Sequence, residues 1–307
     1  MQKMRLRIAL GISIAIIAIL IVVEIISFCS WGLCGSRAPN AIKDQQDHIS
    51  IVATIYPLAW LASDLDPSAV IATIVGPGIE PHDFSPTIND VKLMEDADLL
   101  IVNRMVDEWA VDGVTDRNGM TISAMETLGF PLLEDPHVWL DPILMQKIVQ
   151  DIGAKLELID PANADAIRKN VVKKIAILQG IDDAYHVGLS FCEIPEIISS
   201  HDAFGFLSRR YGFTVYGIAG FSPENEPSPA KLVELTDLIR SHHITTVFFE
   251  ELTSDALSKT LADETGAKSD VLDTIESLSS EESGQLQYPG IMEKNLAKLK
   301  VAMICRS

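Results

Sequence analysis

The sequence predicts an α/β fold of two parallel-sheet lobes joined by a long helix, and three observations carry that expectation. From Ser50 onward, short β-rich runs alternate with amphipathic stretches, the pattern of strands linked by helical crossovers. The alternation occurs twice, once on either side of residues 163–187. Those residues hold a helical apolar period at Ile167, Val171, Ile175, Leu178 and Tyr185. At about 1.5 Å per residue such a helix exceeds roughly 30 Å, the length of a two-lobed molecule. A chain of 307 residues with 48% hydrophobic content can bury the cores of about two lobes.

In the first half the expected strands are Ile51–Ile55, Val70–Val75 and Leu99–Asn103. A helix is expected through Leu58–Leu65, and another opens at Ser85-Pro86-Thr87, where a capping residue and a proline precede a periodic stretch to Ala97. Asp107–Glu134 is rich in turn residues and short of periodicity. The segment Asp135-Pro136-His137-Val138-Trp139-Leu140-Asp141-Pro142 then leads into a helix through Leu158. Gly180 falls inside the long helix, a position where glycine weakens helical order. The second half repeats the first: strands Ile194–Ser199, Thr214–Ile218, Thr245–Phe249 and Ser269–Leu272, with helices Ala203–Tyr211, Pro229–Arg240 and Ser254–Thr265 between them.

Ahead of this body lies a membrane-directed start. Ile8–Phe28 is an almost wholly apolar run of 21 residues behind Lys3, Arg5 and Arg7, which fits a membrane span or uncleaved signal-anchor with its basic end inside. Cys34 is a candidate lipidation site, but Trp31-Gly32-Leu33 before it matches a lipobox poorly. Residues 35–48 are polar and read as a tether. The resulting division is 1–34 anchor, 35–48 tether, 49–160 first lobe, 161–188 linker helix and 189–307 second lobe. The body is expected outside the cytoplasmic membrane, anchored to its outer face or free if the leader is cleaved.

The first 34 residues carry +2, so the remainder carries −21 against a total of −19. An acidic body offers no basic face for phosphates, which excludes a nucleic-acid partner. The four cysteines, at 29, 34, 192 and 305, form no short-spaced metal pair. Cys192 and Cys305 fall in the same predicted lobe, and an exported location permits a disulfide between them; two buried thiols are the other reading.

Three histidines stand at equivalent topological places. His82 follows a strand, His137 lies in a proline-bounded loop before a helix, and His201 follows a strand. Ligands of open α/β sheets bind off the carboxyl ends of the strands, where Asp273 also falls. Three imidazoles and one carboxylate make a borderline-soft set suited to Zn²⁺ or Mn²⁺ and too nitrogen-rich for Ca²⁺ or Mg²⁺. Neutral imidazoles would take the ion, with affinity falling as they protonate below about pH 6.5. The other histidines read as ordinary: His48 in the tether, His186 on the long helix, and His242-His243 at a helix C-terminus where a cation suits the dipole.

These segments carry a family resemblance. Gly78-Ile79-Glu80-Pro81-His82-Asp83-Phe84-Ser85-Pro86, Asp135 to Pro142, Ser200-His201-Asp202-Ala203-Phe204-Gly205-Phe206 and Val271-Leu272-Asp273 resemble the four ligand segments of the ZnuA/TroA-like (cluster A-I) solute-binding proteins of ABC transporters. The resemblance spans residues 49–305. It implies a C-clamp of two Rossmann-like lobes on a rigid helix, ligating one metal through His82 and His137 from the first lobe and His201 and Asp273 from the second. His201, where manganese-type relatives commonly have Glu, points to zinc, with manganese as the alternative. Glu80 is an alternative oxygen ligand, and Trp139 is expected to pack behind His137. Glu250-Glu251 reads as a solvated or transporter-facing acidic patch. Asp107–Glu134 lacks the histidines that zinc receptors often carry there.

The implied partners are a membrane permease with its ATPase, and the implied state is a monomer. A zinc hydrolase is the competing class, but a catalytic zinc keeps an open position that four protein ligands would close. The chain also lacks His-Glu-x-x-His and Gly-x-Ser-x-Gly, so no enzyme is expected. A metal-binding adhesin on the same fold is the third reading.

Overall fold

The computed structural model describes residues 48–306, apart from 113, 115–116, 132–134, 251, 253 and 279–286. The expected membrane segment Ile8–Phe28, Cys34 and nearly all of the tether lie outside the described residues. Among the described residues no helix is long and apolar enough to cross a membrane.

Two four-stranded parallel sheets organise the body. The first has the order β2-β1-β3-β4, from β1 (Ser50–Ala53), β2 (Val70–Thr73), β3 (Leu99–Val102) and β4 (Met120–Ser123). The second has the order β6-β5-β7-β8, from β5 (Glu196–Ser199), β6 (Thr214–Gly217), β7 (Thr246–Phe249) and β8 (Lys268–Val271). In each sheet the third strand in sequence lies beside the first, so a crevice opens where the chain reverses direction across the sheet. The central strands β1 and β3 are almost fully buried, as parallel strands covered on both faces must be.

The helices in the first lobe are α1 (Tyr56–Ala62), α2 (Ile88–Asp96), α3 (Glu108–Asp112), α4 (Ala124–Leu128) and α5 (Pro142–Ile159). Thr87 and Asp90 form a reciprocal capping box at the start of α2. Asp141 caps α5 by accepting from the backbone N–H of Ile143 and Leu144, with Pro142 at the first turn. Sequence reading assigned no element to Asp107–Glu134, yet α3, β4 and α4 lie there. Each is only four or five residues long, too short to express a period.

The linker helix α6 (Ala164–Leu189) is unbroken for 26 residues. Gly180 is tolerated because it faces open space with no atom near its missing Cβ. Gly153 of α5 does the opposite: a Cβ there would sit 2.4 Å from Val171, so its absence lets α5 and α6 approach closely. Lys174 of α6 donates to the Trp60 carbonyl at 2.8 Å, and burial pushes its ammonium pKa down to about 8. At the other end, the Tyr185 hydroxyl donates to the Met292 carbonyl at 2.8 Å. The helix is thus fastened to both halves.

The second lobe adds α7 (Gly205–Tyr211), α8 (Pro229–His242), α9 (Ala256–Thr265) and α10 (Tyr288–Ala302). The last was not legible, because Tyr288-Pro289-Gly290 reads as a turn although proline there sits in the first turn of the helix. A disulfide joins Cys192 to Cys305. One apolar cluster runs without interruption from Leu58 and Trp60 through Trp139, Leu178 and Tyr185 to Phe204, Tyr288 and Leu299. Sheet-specific clusters flank it, around Val52 and Leu100 in one lobe and Ile198 and Val247 in the other.

Candidate metal centre

Each expected histidine is delivered by the end of a regular element. His82 sits in a single 3₁₀ turn (Pro81–Asp83) beyond β2, where the Glu80 carboxylate accepts from the His82 backbone N–H at 3.1 Å. His137 precedes a second 3₁₀ turn (Val138–Leu140), and the Asp135 carboxylate accepts from its backbone N–H at 3.0 Å. His201 stands two residues past the end of β5, and the Ser199 hydroxyl donates to its carbonyl at 2.7 Å.

The three imidazoles converge on Glu276. The Glu276 Oε1 lies 3.0 Å from His137 Nε2, 3.6 Å from His82 Nε2 and 3.7 Å from His201 Nε2, and the two Nε2 atoms of His137 and His201 are 3.1 Å apart. Donor atoms at about 2.0–2.1 Å from a tetrahedral Zn²⁺ are roughly 3.4 Å from one another, so these separations bracket the expected spacing. His137 and His201 are fully buried and Glu276 nearly so. His82 Nε2 and both oxygens of Glu276 are buried without a hydrogen-bond partner among the described residues, an expensive arrangement that a shared cation relieves.

Behind this set, carboxylates orient two of the rings. Asp135 Oδ1 is 2.8 Å from His137 Nδ1, and Glu250 Oε1 is 2.5 Å from His201 Nδ1. A carboxylate at Nδ1 calls for an N–H there and leaves the Nε2 lone pair for a metal. The Ser200 hydroxyl donates to the same oxygen of Glu250. Glu250 is therefore buried at 4% exposure and corrects the expectation of a solvated patch; it directly follows β7, whose end turns it inward. Trp139 lies against His137 with ring centroids 5.2 Å apart, and its indole N–H donates to the Thr274 carbonyl at 2.7 Å.

Asp273 does not join the imidazoles. Its carboxylate accepts from the Ile275 backbone N–H at 2.7 Å, and its backbone is paired with the Asn295 side chain at 3.1 and 2.7 Å. Ile275 has φ of 60°, and this left-handed turn brings Glu276 to the centre in the place expected of Asp273. Glu80 stands in a second group, with Glu250 and Glu276, whose ligand atoms lie within 4.8 Å of one another.

The charges of the cluster reinforce one another. Burial pushes the His201 imidazolium toward losing its proton, but the Glu250 and Glu276 carboxylates outweigh it and raise its pKa to about 10. His137 is raised as well: burial opposes this, while the Asp135 and Glu276 carboxylates beside its ring prevail. Glu276 is held well below the usual carboxylate range, the three histidines outweighing its desolvation. Burial first, and the charge of Glu276 second, push Glu80 up to about 8. Without a metal His137 and His201 therefore favour their protonated forms beside an ionised Glu276, and the pH dependence extends well above the pH 6.5 expected for free imidazole.

Comparison with known proteins decides the family. Residues 51–302 match the family described as "ZnuA: Zinc-uptake complex component A periplasmic". The chain belongs to this family. The ZnuA family is one of transport components rather than enzymes. The high-affinity zinc uptake system protein ZnuA of Bacillus subtilis (strain 168) is 33% identical over 305 residues, covering 91% of this chain and 96% of that protein. The crystal structure of the Zn(II)-bound ZnuA-like domain of Streptococcus pneumoniae AdcA superposes with a TM-score of 0.73 at 35% identity, covering 83% of this chain and 99% of that one. Whole AdcA is longer, and this chain spans 56% of it. The laminin-binding protein Lmb of Streptococcus agalactiae, described as bifunctional with adhesin and metal-transporting activity, superposes with a TM-score of 0.77 at 28% identity, over 83% of this chain and 99% of that one.

Proposed function

We propose that this chain captures a zinc ion outside the cytoplasmic membrane and delivers it to the permease of an ABC importer, whose ATPase drives uptake. The ion is held by His82, His137, His201 and Glu276. The observation that carries this reading is the gathering of four donor atoms within 4.8 Å of one another, four of the separations being 3.0 to 3.7 Å, with His82 Nε2 and the Glu276 oxygens buried and without a hydrogen-bond partner among the described residues. Three imidazole nitrogens favour zinc over manganese, which prefers oxygen ligands. Four protein ligands leave no open position for activated water, consistent with carriage rather than hydrolysis. The chain works as a monomer tethered through Ile8–Phe28 to the outer face of the membrane.

Calorimetric titration of the metal-free protein with zinc tests the assignment. The expected outcome is a single tight site, strongly weakened in His201→Ala and unchanged in His243→Ala, the latter an exposed helix cap. Equal affinities in the two variants would refute it.

A further inference from the structure

Beside the imidazole centre lies a second cluster made of oxygen ligands alone. Glu80, Glu250 and Glu276 each offer a carboxylate oxygen, and these atoms lie within 4.8 Å of one another. They line a narrow crevice together with Thr274 and Ser277. Glu250 is 4% exposed and Glu276 2%. One oxygen of Glu80 is engaged by the His82 backbone N–H, and one oxygen of Glu250 by His201 and Ser200. Neither engagement occupies the second oxygen of those carboxylates. The second oxygen of Glu276, buried in the crevice wall, has no hydrogen-bond partner among the described residues.

We infer that Glu80, Glu250 and Glu276 form a second, weaker divalent-cation site, filled while the imidazole centre is occupied, with Glu276 bridging the two ions. Three carboxylates and no nitrogen suit a hard cation such as Mn²⁺, Mg²⁺ or Ca²⁺. A carboxylate-bridged pair of ions at about 3.5–4 Å is a familiar arrangement. The inference rests on the imidazole centre being a metal site. It also places an oxygen-lined station on the crevice beside the cargo.

The experiment loads the full protein with one equivalent of zinc, confirms the loading by metal analysis, and titrates with Mn²⁺ while electron paramagnetic resonance reads free and bound ion. The expected result is a single bound Mn²⁺ per chain without zinc release, and binding at least about tenfold weaker in Glu80→Gln. A second measurement needs no variant: with Co²⁺ in place of zinc, the neighbouring paramagnet abolishes the bound Mn²⁺ signal. The inference is overturned if zinc-loaded protein binds no Mn²⁺ in the millimolar range, if Mn²⁺ expels the zinc, or if the bound signal is indifferent to cobalt, which would put the ion elsewhere on the acidic surface. Failure to load zinc at all would instead refute the proposed function, and the second site with it.

Discussion

The indole N–H of Trp139, in the first lobe, donates across the molecule to the carbonyl of Thr274, two residues before Glu276. The same Trp139 packs on His137, and its own carbonyl accepts from the Tyr288 hydroxyl at 2.6 Å. One fully buried side chain therefore sets the positions of two proposed ligands from opposite lobes. Trp139→Phe keeps most of the apolar volume but strands the Thr274 carbonyl. Zinc affinity should fall by about 10–100-fold, as for other groups that orient ligands, and stability by about 1–3 kcal/mol. Competition with a chelating dye and urea unfolding measure the two effects.

Glu276 and Asp273 should respond oppositely to loss of charge. Glu276→Gln removes the anionic oxygen that approaches the Nε2 atoms of all three imidazoles, and zinc affinity should drop by more than about 100-fold, beyond the range for orienting groups. Asp273→Asn retains an oxygen that can accept from the Ile275 backbone N–H, so affinity should stay within about threefold. Calorimetry on both variants checks the pair, and a larger loss in Asp273→Asn would return the ligand role to that residue.

Zinc uptake should release protons. In the metal-free protein His201 carries its proton up to about pH 10 and His137 is shifted in the same direction, whereas ligation requires both neutral. Apparent affinity therefore rises with pH, by up to about tenfold per unit for each proton displaced, and levels off only above the raised values. Titrations in buffers of differing ionisation enthalpy at a fixed pH count the protons. An affinity flat between pH 7 and 9 would contradict the charge arrangement.

Much of this was legible in the sequence, and the exceptions have physical causes. That His82, His137 and His201 meet could be anticipated because short proline-bounded or strand-terminal segments leave them few places to go. That Glu276, rather than Asp273, stands with them could not, because it depends on a left-handed Ile275 that no local pattern announces. Glu250 was misread as solvated because Glu250-Glu251 looks polar, while burial follows from the strand that precedes it. The long linker helix was legible from its apolar period. The short elements between Asp107 and Glu134, and the proline-led α10, were not.

Reduction of the Cys192–Cys305 disulfide should lower stability while leaving zinc stoichiometry unchanged. The link closes a loop across a sequence separation of 113 residues and lies at the junction of α6 and α10, away from the metal ligands. A loss of about 2–5 kcal/mol is expected, the usual range for a native crosslink. Urea midpoints for oxidised protein and for Cys192→Ser/Cys305→Ser measure it.

The uninterrupted apolar cluster bears on how cargo would leave. Swinging the halves apart would tear open contacts among Trp139, Tyr185, Phe204 and Tyr288, and the strip carrying Glu276 is tied into the same cluster by the buried Leu272 and Ile275 and to the first lobe, among the described residues, by the Trp139–Thr274, Ser277–Gly76 and Gly78–Leu278 hydrogen bonds. Freeing an ion through that strip would then cost both those polar contacts and the withdrawal of Ile275 from its apolar packing, so unloading is coupled to the core and not to charge alone.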